Sequence, residues 1–147
     1  LLLVLTILIT GAKVQAQDGR DSVKAAVRLL FDGMKNADAA KIRSAFADSA
    51  LLQTIVQKAG GGTVIRNESV QDFAELVGRQ SAGDLDERIQ FAVVETDGPL
   101  ATVWTPYSFY YKGKFSHCGV NSFQLVRLAG EWKIQYLIDT RRREGCE

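Results

Sequence analysis

The chain is poor in the residues that announce a metalloprotein or a disulfide scaffold: one His, two Cys, two Pro and one Met among 147 residues. One His and two Cys cannot furnish the usual all-His/Cys zinc site, and nothing resembles an iron–sulfur spacing. No motif calls for a cofactor or a resident metal. Charge of one sign is lacking too. Lys and Arg number 18 against 17 Asp and Glu, leaving +1, so there is no electrostatic reason to expect nucleic acid. An apolar share of 46% with 24% charged residues is that of an ordinary globular protein, and this length makes one domain.

The longest apolar run is Leu1 to Thr10, followed by Gly11, Ala12 and Val14-Gln15-Ala16. A run of about ten residues is too short for a membrane span, which takes roughly 20, so no stable membrane anchor is expected. Ending in a small-x-small site, it reads as a signal peptide over residues 1–16, truncated at its start and cleaved after Ala16. The other reading is a buried N-terminal strand. Residues 17–147 then form the domain, exported to the periplasm or secreted. In an oxidising compartment Cys118 and Cys146 can be bridged; the alternative is two unrelated thiols.

Helices come first. Val23, Ala26, Val27, Leu30, Phe31 and Met34 follow the spacing of one helical face, with Asp21 or Ser22 as cap. Asp38 caps a second short helix with Ile42, Ala45 and Phe46 inward. A strand over Leu51–Gln57 turns at Gly60-Gly61-Gly62, and Asn67 or Ser69 opens a third helix. The triple Gly lacks the Gly-Lys-Ser/Thr ending of a phosphate loop.

Strands follow. Asp97-Gly98, Lys112-Gly113 and Ala129-Gly130 divide the rest into strands of about Glu87–Thr96, Pro99–Tyr111, Lys114–Leu128 and Glu131–Asp139. The predicted class is α+β, three helices on one face of a strongly curved, mainly antiparallel sheet. With two-residue loops throughout, Phe91, Trp104, Asn121 and Ile138 stand opposite one another, and Val93, Thr102, Phe123 and Tyr136 form the next row. That face meets the helices. Val103, Tyr107, Phe109, Tyr111 and Val120 fall on the other, where an aromatic stripe points to a homodimer interface, unless a bulge near Pro106 turns some of them inward.

This layout resembles the nuclear transport factor two-like superfamily, the cone-shaped fold of ketosteroid isomerase and scytalone dehydratase. The resembling stretches are Phe31-Asp32-Gly33-Met34 through Asp38 and Phe46, Trp104-Thr105-Pro106-Tyr107-Ser108-Phe109-Tyr110, His117-Cys118-Gly119 and Glu131-Trp132-Lys133-Ile134. The His-Cys-Gly segment is similar to that of an exported subgroup. The resemblance implies an apolar pocket between sheet and helices, and its members include enzymes, binding domains and dimerisation modules.

Candidate site residues come from the register. His117 lies on the core face beside Ser108 and Arg142, with Glu87 beyond Ser108. It is either a proton-transfer group, the one candidate catalytic residue, or a rim His with a satisfied hydrogen bond. Asn121, among Trp104, Phe123 and Ile138, orients a ligand or bonds the protein's own groups. Tyr110 can supply a phenolic donor near His117 or simply pack. Trp104, Ser108, Tyr110, His117, Asn121 and Phe123 thus form the expected ligand site. Ketosteroid isomerase-like enzymes use a pocket Asp, yet Asp139 falls on the polar face and Asp32 off its helix's apolar stripe. Scytalone dehydratase-like chemistry needs a second His, which is lacking. Arg141-Arg142-Arg143 is a solvated end or a partner for an anionic ligand or lipid head group.

Three functions stay open. The pattern with the fewest assumptions is an exported protein binding a small apolar or amphipathic molecule. The others are an acid–base isomerase or dehydratase using His117, and a non-catalytic dimerisation module. The processing site yields a direct expectation: the exported protein begins at Gln17, and N-terminal sequencing that finds residues 1–16 retained would refute it.

Overall fold

The computed structural model describes residues 10–146, with side chains described from Gly19 onward. The expected signal segment therefore lies mostly outside the described residues; its end, from Thr10, is helical backbone. Three helices and seven strands follow the order α1 (Thr10–Lys35), α2 (Ala39–Ala45), β1 (Phe46–Gln57), β2 (Thr63–Glu68), α3 (Val70–Gly78), β3 (Leu85–Ile89), β4 (Val93–Asp97), β5 (Leu100–Tyr111), β6 (Lys114–Leu128) and β7 (Glu131–Thr140). Among these described residues no helix is long and apolar enough to cross a membrane.

Helix α1 starts well before Asp21 and Ser22, which are interior to it. Ser22 Oγ donates back to the Gly19 carbonyl at 2.8 Å, the behaviour of a mid-helix serine rather than of a cap. Its apolar stripe is as the spacing predicts: Val23, Val27, Leu30, Phe31 and Met34 are all buried. Asp38 caps α2 by accepting from Lys41 N–H at 2.9 Å, and Ser69 caps α3 by accepting from Asp72 N–H. Gly33 lets α2 approach α1, since a side chain there would meet Ile42.

The sheet runs β2-β1-β7-β6-β5-β3, with β4 also on the outer edge of β5. Every pairing is antiparallel except β1 with β7. The curved, unclosed sheet wraps its concave face around α1 and α3. The expected strand Glu87–Thr96 is two strands, broken at Gln90–Ala92. Pro106 lies opposite that break, where its carbonyl accepts from Gln90 N–H at 2.9 Å. A residue's N and C=O point to the same side of an antiparallel strand, so the donor that Pro106 lacks faces the gap between β3 and β4.

Bulges overturn the expected assignment of faces. β6 pairs Phe115 with Tyr110 but His117 with Phe109, so Ser116 is an extra residue. β7 pairs Ile134 with Leu125 but Tyr136 with Gln124, so Gln135 is another. Pairing also shifts by one between β3 and β4. Each inserted residue moves the strand beyond it to the opposite face relative to its partner.

In consequence Trp104 pairs with Ser122 and is 45% exposed, on the face away from the helices. Val103 and Tyr107 are buried instead, and Phe109 is half-buried against the core. The stripe that motivated a homodimer is thereby mostly inside the domain, leaving only Tyr111 exposed and Val120 half-buried. Asp139 likewise turns inward and is buried.

Gly119 sits opposite Tyr107 on β6. A side chain there would overlap the Thr140 carbonyl and crowd the Tyr107 ring, so the glycine is what lets Tyr107 cross β6 and reach β7. Because the obstacle is backbone, Gly119→Ala is expected to destabilise the fold by about 3 kcal/mol or more in guanidinium unfolding. A loss under about 1 kcal/mol, within what tolerated packing changes cost, would show that β7 can shift away.

Candidate functional site

One row of residues crosses the concave face from edge to centre. Arg66 pairs with Thr54, Thr54 with Asp139, Asp139 with Asn121 and Asn121 with Thr105. All but Arg66 are buried. The neighbouring row is Leu52, Leu137, Phe123, Val103 and Val94, all buried and apolar. The polar row therefore borders a dry core, and its groups need internal partners.

Most of them have one. Arg141 Nε donates to Asp139 Oδ2 at 2.8 Å, and its Nη2 donates to Thr54 Oγ1 at 3.1 Å. The Tyr107 hydroxyl lies 2.8 Å from the Thr140 carbonyl and 3.2 Å from Asp139 Oδ2. Asn121 Nδ2 donates to Glu87 Oε1 at 2.8 Å. Only the Thr105 hydroxyl, among the described residues, is buried without a hydrogen-bond partner.

Between this row and the helices lies a cavity of about 360 Å³. Met34, Phe73, Leu85 and Phe109 form its apolar wall, while Thr54, Glu87, His117 and Arg141 supply polar groups and Arg66 and Glu68 stand on one lip. A deeper recess of about 60 Å³ continues toward Leu30, Phe31, Leu52 and Leu137, where Asn121, Asp139 and Glu87 face it. A mainly apolar space with a few convergent polar groups is the usual form of a small-molecule site.

The electrostatics of the recess are uneven. Removal of its carboxyl from water pushes Glu87 up to about 7; the negative Asp139 adds to this, while the Asn121 hydrogen bond and Arg141 oppose it. Burial, then the two carboxylates, raises Tyr107, which remains a neutral donor. Burial and the nearby Arg141 and Arg143 lower His117, outweighing the attraction of Asp139. Its Nδ1 lies 3.0 Å from Ser116 Oγ, and its ring packs on Phe109 at 5.0 Å. Among the described residues no three His, Cys, Asp or Glu side chains gather as a metal site.

Of the residues expected to form the site, His117 and Asn121 do line it, at the mouth and in the recess. Phe123 is wholly buried beneath, edge-to-face with Phe31 at 6.2 Å. Trp104 and Ser108 do not reach it, because the extra residue Ser116 turns the even positions of β5 outward. Tyr110 packs away from it against Phe115, with the Arg88 guanidinium 4.1 Å from its ring centre. The relay from Glu87 through Ser108 to His117 is likewise corrected: Phe109 occupies the position between them. Arg142 pairs with Cys118, not with His117.

Asp139 is the acid that sequence pattern misplaced. The hint was in β7, where Trp132 and Ile134 give way to Leu137, a spacing of three that marks an inserted residue. Cys118 and Cys146 are joined by a disulfide with α-carbons 5.8 Å apart, which ties the tail after Thr140 to β6.

Glu87 gives the site a pH signature. Its folded-state value of about 7 stands above the ordinary 4.5, so between the two the folded protein holds a proton that the unfolded chain has released. Its favourable contribution is intact below about 4.5 and is lost as pH rises toward about 7. Glu87→Gln removes this dependence, so its stability relative to the parent protein should rise steadily across that window in urea unfolding. A difference constant with pH would mean that Glu87 ionises as an ordinary carboxylate.

Comparison with known proteins follows the same lines. The family described as putative lumazine-binding matches residues 18–135. No curated protein matches the sequence. Among solved structures, an NTF2-like protein of unknown function from Shewanella baltica superposes with a TM-score of 0.67 at 13% identity, over 87% of this chain and 97% of that one. A protein of unknown function from Mycobacterium tuberculosis gives 0.70 at 13% identity, over 94% and 80%. A cystatin-like domain of unknown function from Nostoc punctiforme gives 0.64 at 14% identity, over 83% and 76%. At these identities the likeness is one of fold. From the family match along most of its length, the chain belongs to the putative lumazine-binding family, and its cone of sheet and helices has the fold of the NTF2-like and cystatin-like structures.

Proposed function

We propose that the protein binds a small, mainly apolar molecule in the concave cavity, with Asn121, Glu87 and Asp139 reading its polar edge. The observation that carries this reading is the cavity itself, an apolar wall closing on three polar groups at the deep end. Burying a flat ring system of about 150–250 Å² there contributes roughly 4–6 kcal/mol before the cost of association. The polar groups contribute orientation. At neutral pH the recess offers donors from Asn121 and from the protonated fraction of Glu87, and an acceptor in Asp139. The family description names lumazine, a flat bicyclic heterocycle whose edge alternates carbonyl acceptors and N–H donors. Such an edge suits that set. Export is part of the proposal, supported by the Cys118–Cys146 bridge, since oxidising compartments preserve disulfides.

Acid–base catalysis is a second reading, favoured by a carboxyl that titrates around neutrality inside a cavity. In that reading Glu87 moves the proton, and His117 at the rim helps to hold the substrate.

Isothermal titration calorimetry with lumazine tests the binding reading. The parent protein is expected to bind it, and Asn121→Leu to bind it about tenfold more weakly through loss of an oriented hydrogen bond. Absence of binding at millimolar lumazine, or an unchanged affinity in Asn121→Leu, would defeat the proposal for this ligand edge.

A further inference from the structure

The tail that follows β7 carries Arg141, Arg142 and Arg143 past His117. These four residues line a depression of about 270 Å³ with no acidic side chain among them. The depression adjoins the cavity, since His117 and Arg141 line both. Arg141 has its counter-charge in Asp139. Arg143 has no carboxylate partner among the described residues, and neither does Arg66 on the opposite lip, whereas Arg142 pairs with Cys118 on the other face of β6 and donates to the Gly145 carbonyl. The lip's acid is Glu68 and the tail's own acid is Glu144, and neither forms an ion pair among the described residues.

Arginines in a segment that has left the sheet would normally be solvated and mobile. Here the tail is pinned twice. Cys118 N–H donates to the Arg142 carbonyl and Arg142 N–H to the Cys118 carbonyl, both at 2.9 Å. Beyond them the Cys118–Cys146 bridge closes the end of the chain onto β6. A guanidinium group without a carboxylate partner among the described residues, on an anchored backbone at the mouth of an apolar cavity, forms a receptor for an anion at low ordering cost. His117 fits the same role. In the tautomer whose Nδ1 accepts from Ser116 Oγ, Nε2–H is the donor offered to an anion.

We propose that the natural ligand is a small amphipathic anion, its apolar body in the cavity against Phe73 and Phe109 and its carboxylate or phosphate group on His117 and Arg143. This rests on the cavity reading above and adds the charge and orientation of the ligand: the anionic group points out, the apolar body in. The arginines also attract such a ligand from solution, an effect that salt screens.

Calorimetry at neutral pH and low salt with naphthoate and naphthamide tests it, since the two probes share a flat apolar body and differ in charge. Naphthoate is expected to bind about tenfold more tightly, a preference that shrinks with added salt. In the Arg143→Gln variant the preference disappears while the naphthamide affinity is unchanged, and in Arg142→Gln, on the other face, the preference stays; circular dichroism checks that the fold is retained. Equal affinity for the two probes, or a full preference surviving in Arg143→Gln, overturns the inference. So does equal affinity accompanied by arginine-dependent sedimentation with phosphatidylglycerol vesicles, which would assign the basic mouth to a membrane surface. If neither probe binds, the inference also falls, and lumazine separates the causes: lumazine binding retained leaves the cavity reading standing, and its absence removes both.

Discussion

Ser116 is inserted in β6 between Phe115, which faces Tyr110, and His117, which faces Phe109. From that point the odd positions of β5 point to the helices, and the cavity's contents follow from the shift. Val103 and Thr105 enter the core, Tyr107 reaches toward β7, and Phe109 becomes cavity wall. Gln135 acts in the same way on β7 and brings Leu137 and Asp139 inward. A sheet pairing without these insertions would place Trp104 and Tyr136 against the helices and Asp139 in water. The bulges also add local twist, which is how a long antiparallel sheet curls enough to leave a hollow beside its helices.

The hollow has a cost that its polar row partly offsets. A carboxylate removed from water is expensive unless paired, and the two carboxyl groups here meet that requirement differently. Asp139 takes charged and phenolic donors on one oxygen, from Arg141 and Tyr107. Glu87 has a single amide donor in Asn121, and its proton is held up to about 7. One acid is thus neutralised by a partner, the other largely by its own proton. This difference in chemistry arises from neighbours, not from residue type. It gives the recess donors and acceptors side by side, which an apolar pocket would lack.

The C-terminal tail carries the polar row to the surface. Arg141 reaches back to Asp139 and Thr54, while Cys118 and Arg142 exchange backbone hydrogen bonds and the bridge secures the end. In the chain-entropy description a bridge across 28 residues stabilises by roughly 3–4 kcal/mol. The same bridge holds the arginines at the cavity mouth, so stabilising the fold and shaping the site are one structural task here.

The sequence by itself determined the α+β class, the turns, the buried stripe of α1 and the cap Asp38, and it narrowed the cap of α3 to Asn67 or Ser69. Those features depend on local spacing and on individual capping side chains, which the chain displays directly. It also marked His117 and Asn121 on the correct face, because both lie on β6 with Phe123 and Leu125, beyond its insertion. What it left undetermined was the face of the flanking strands. In β5 both phases are substantially apolar, Leu100, Trp104 and Tyr110 in one and Val103, Tyr107 and Phe109 in the other, and the bulkier Trp104 points to the wrong one. In β7 Tyr136 and Ile138 compete with Leu137 in the same way. A bulge is a property of the pairing between two strands, so its position is decided only when the tertiary structure chooses the register. With a side-chain period of two, that single choice carried Asp139 into the cavity and Trp104 out of it.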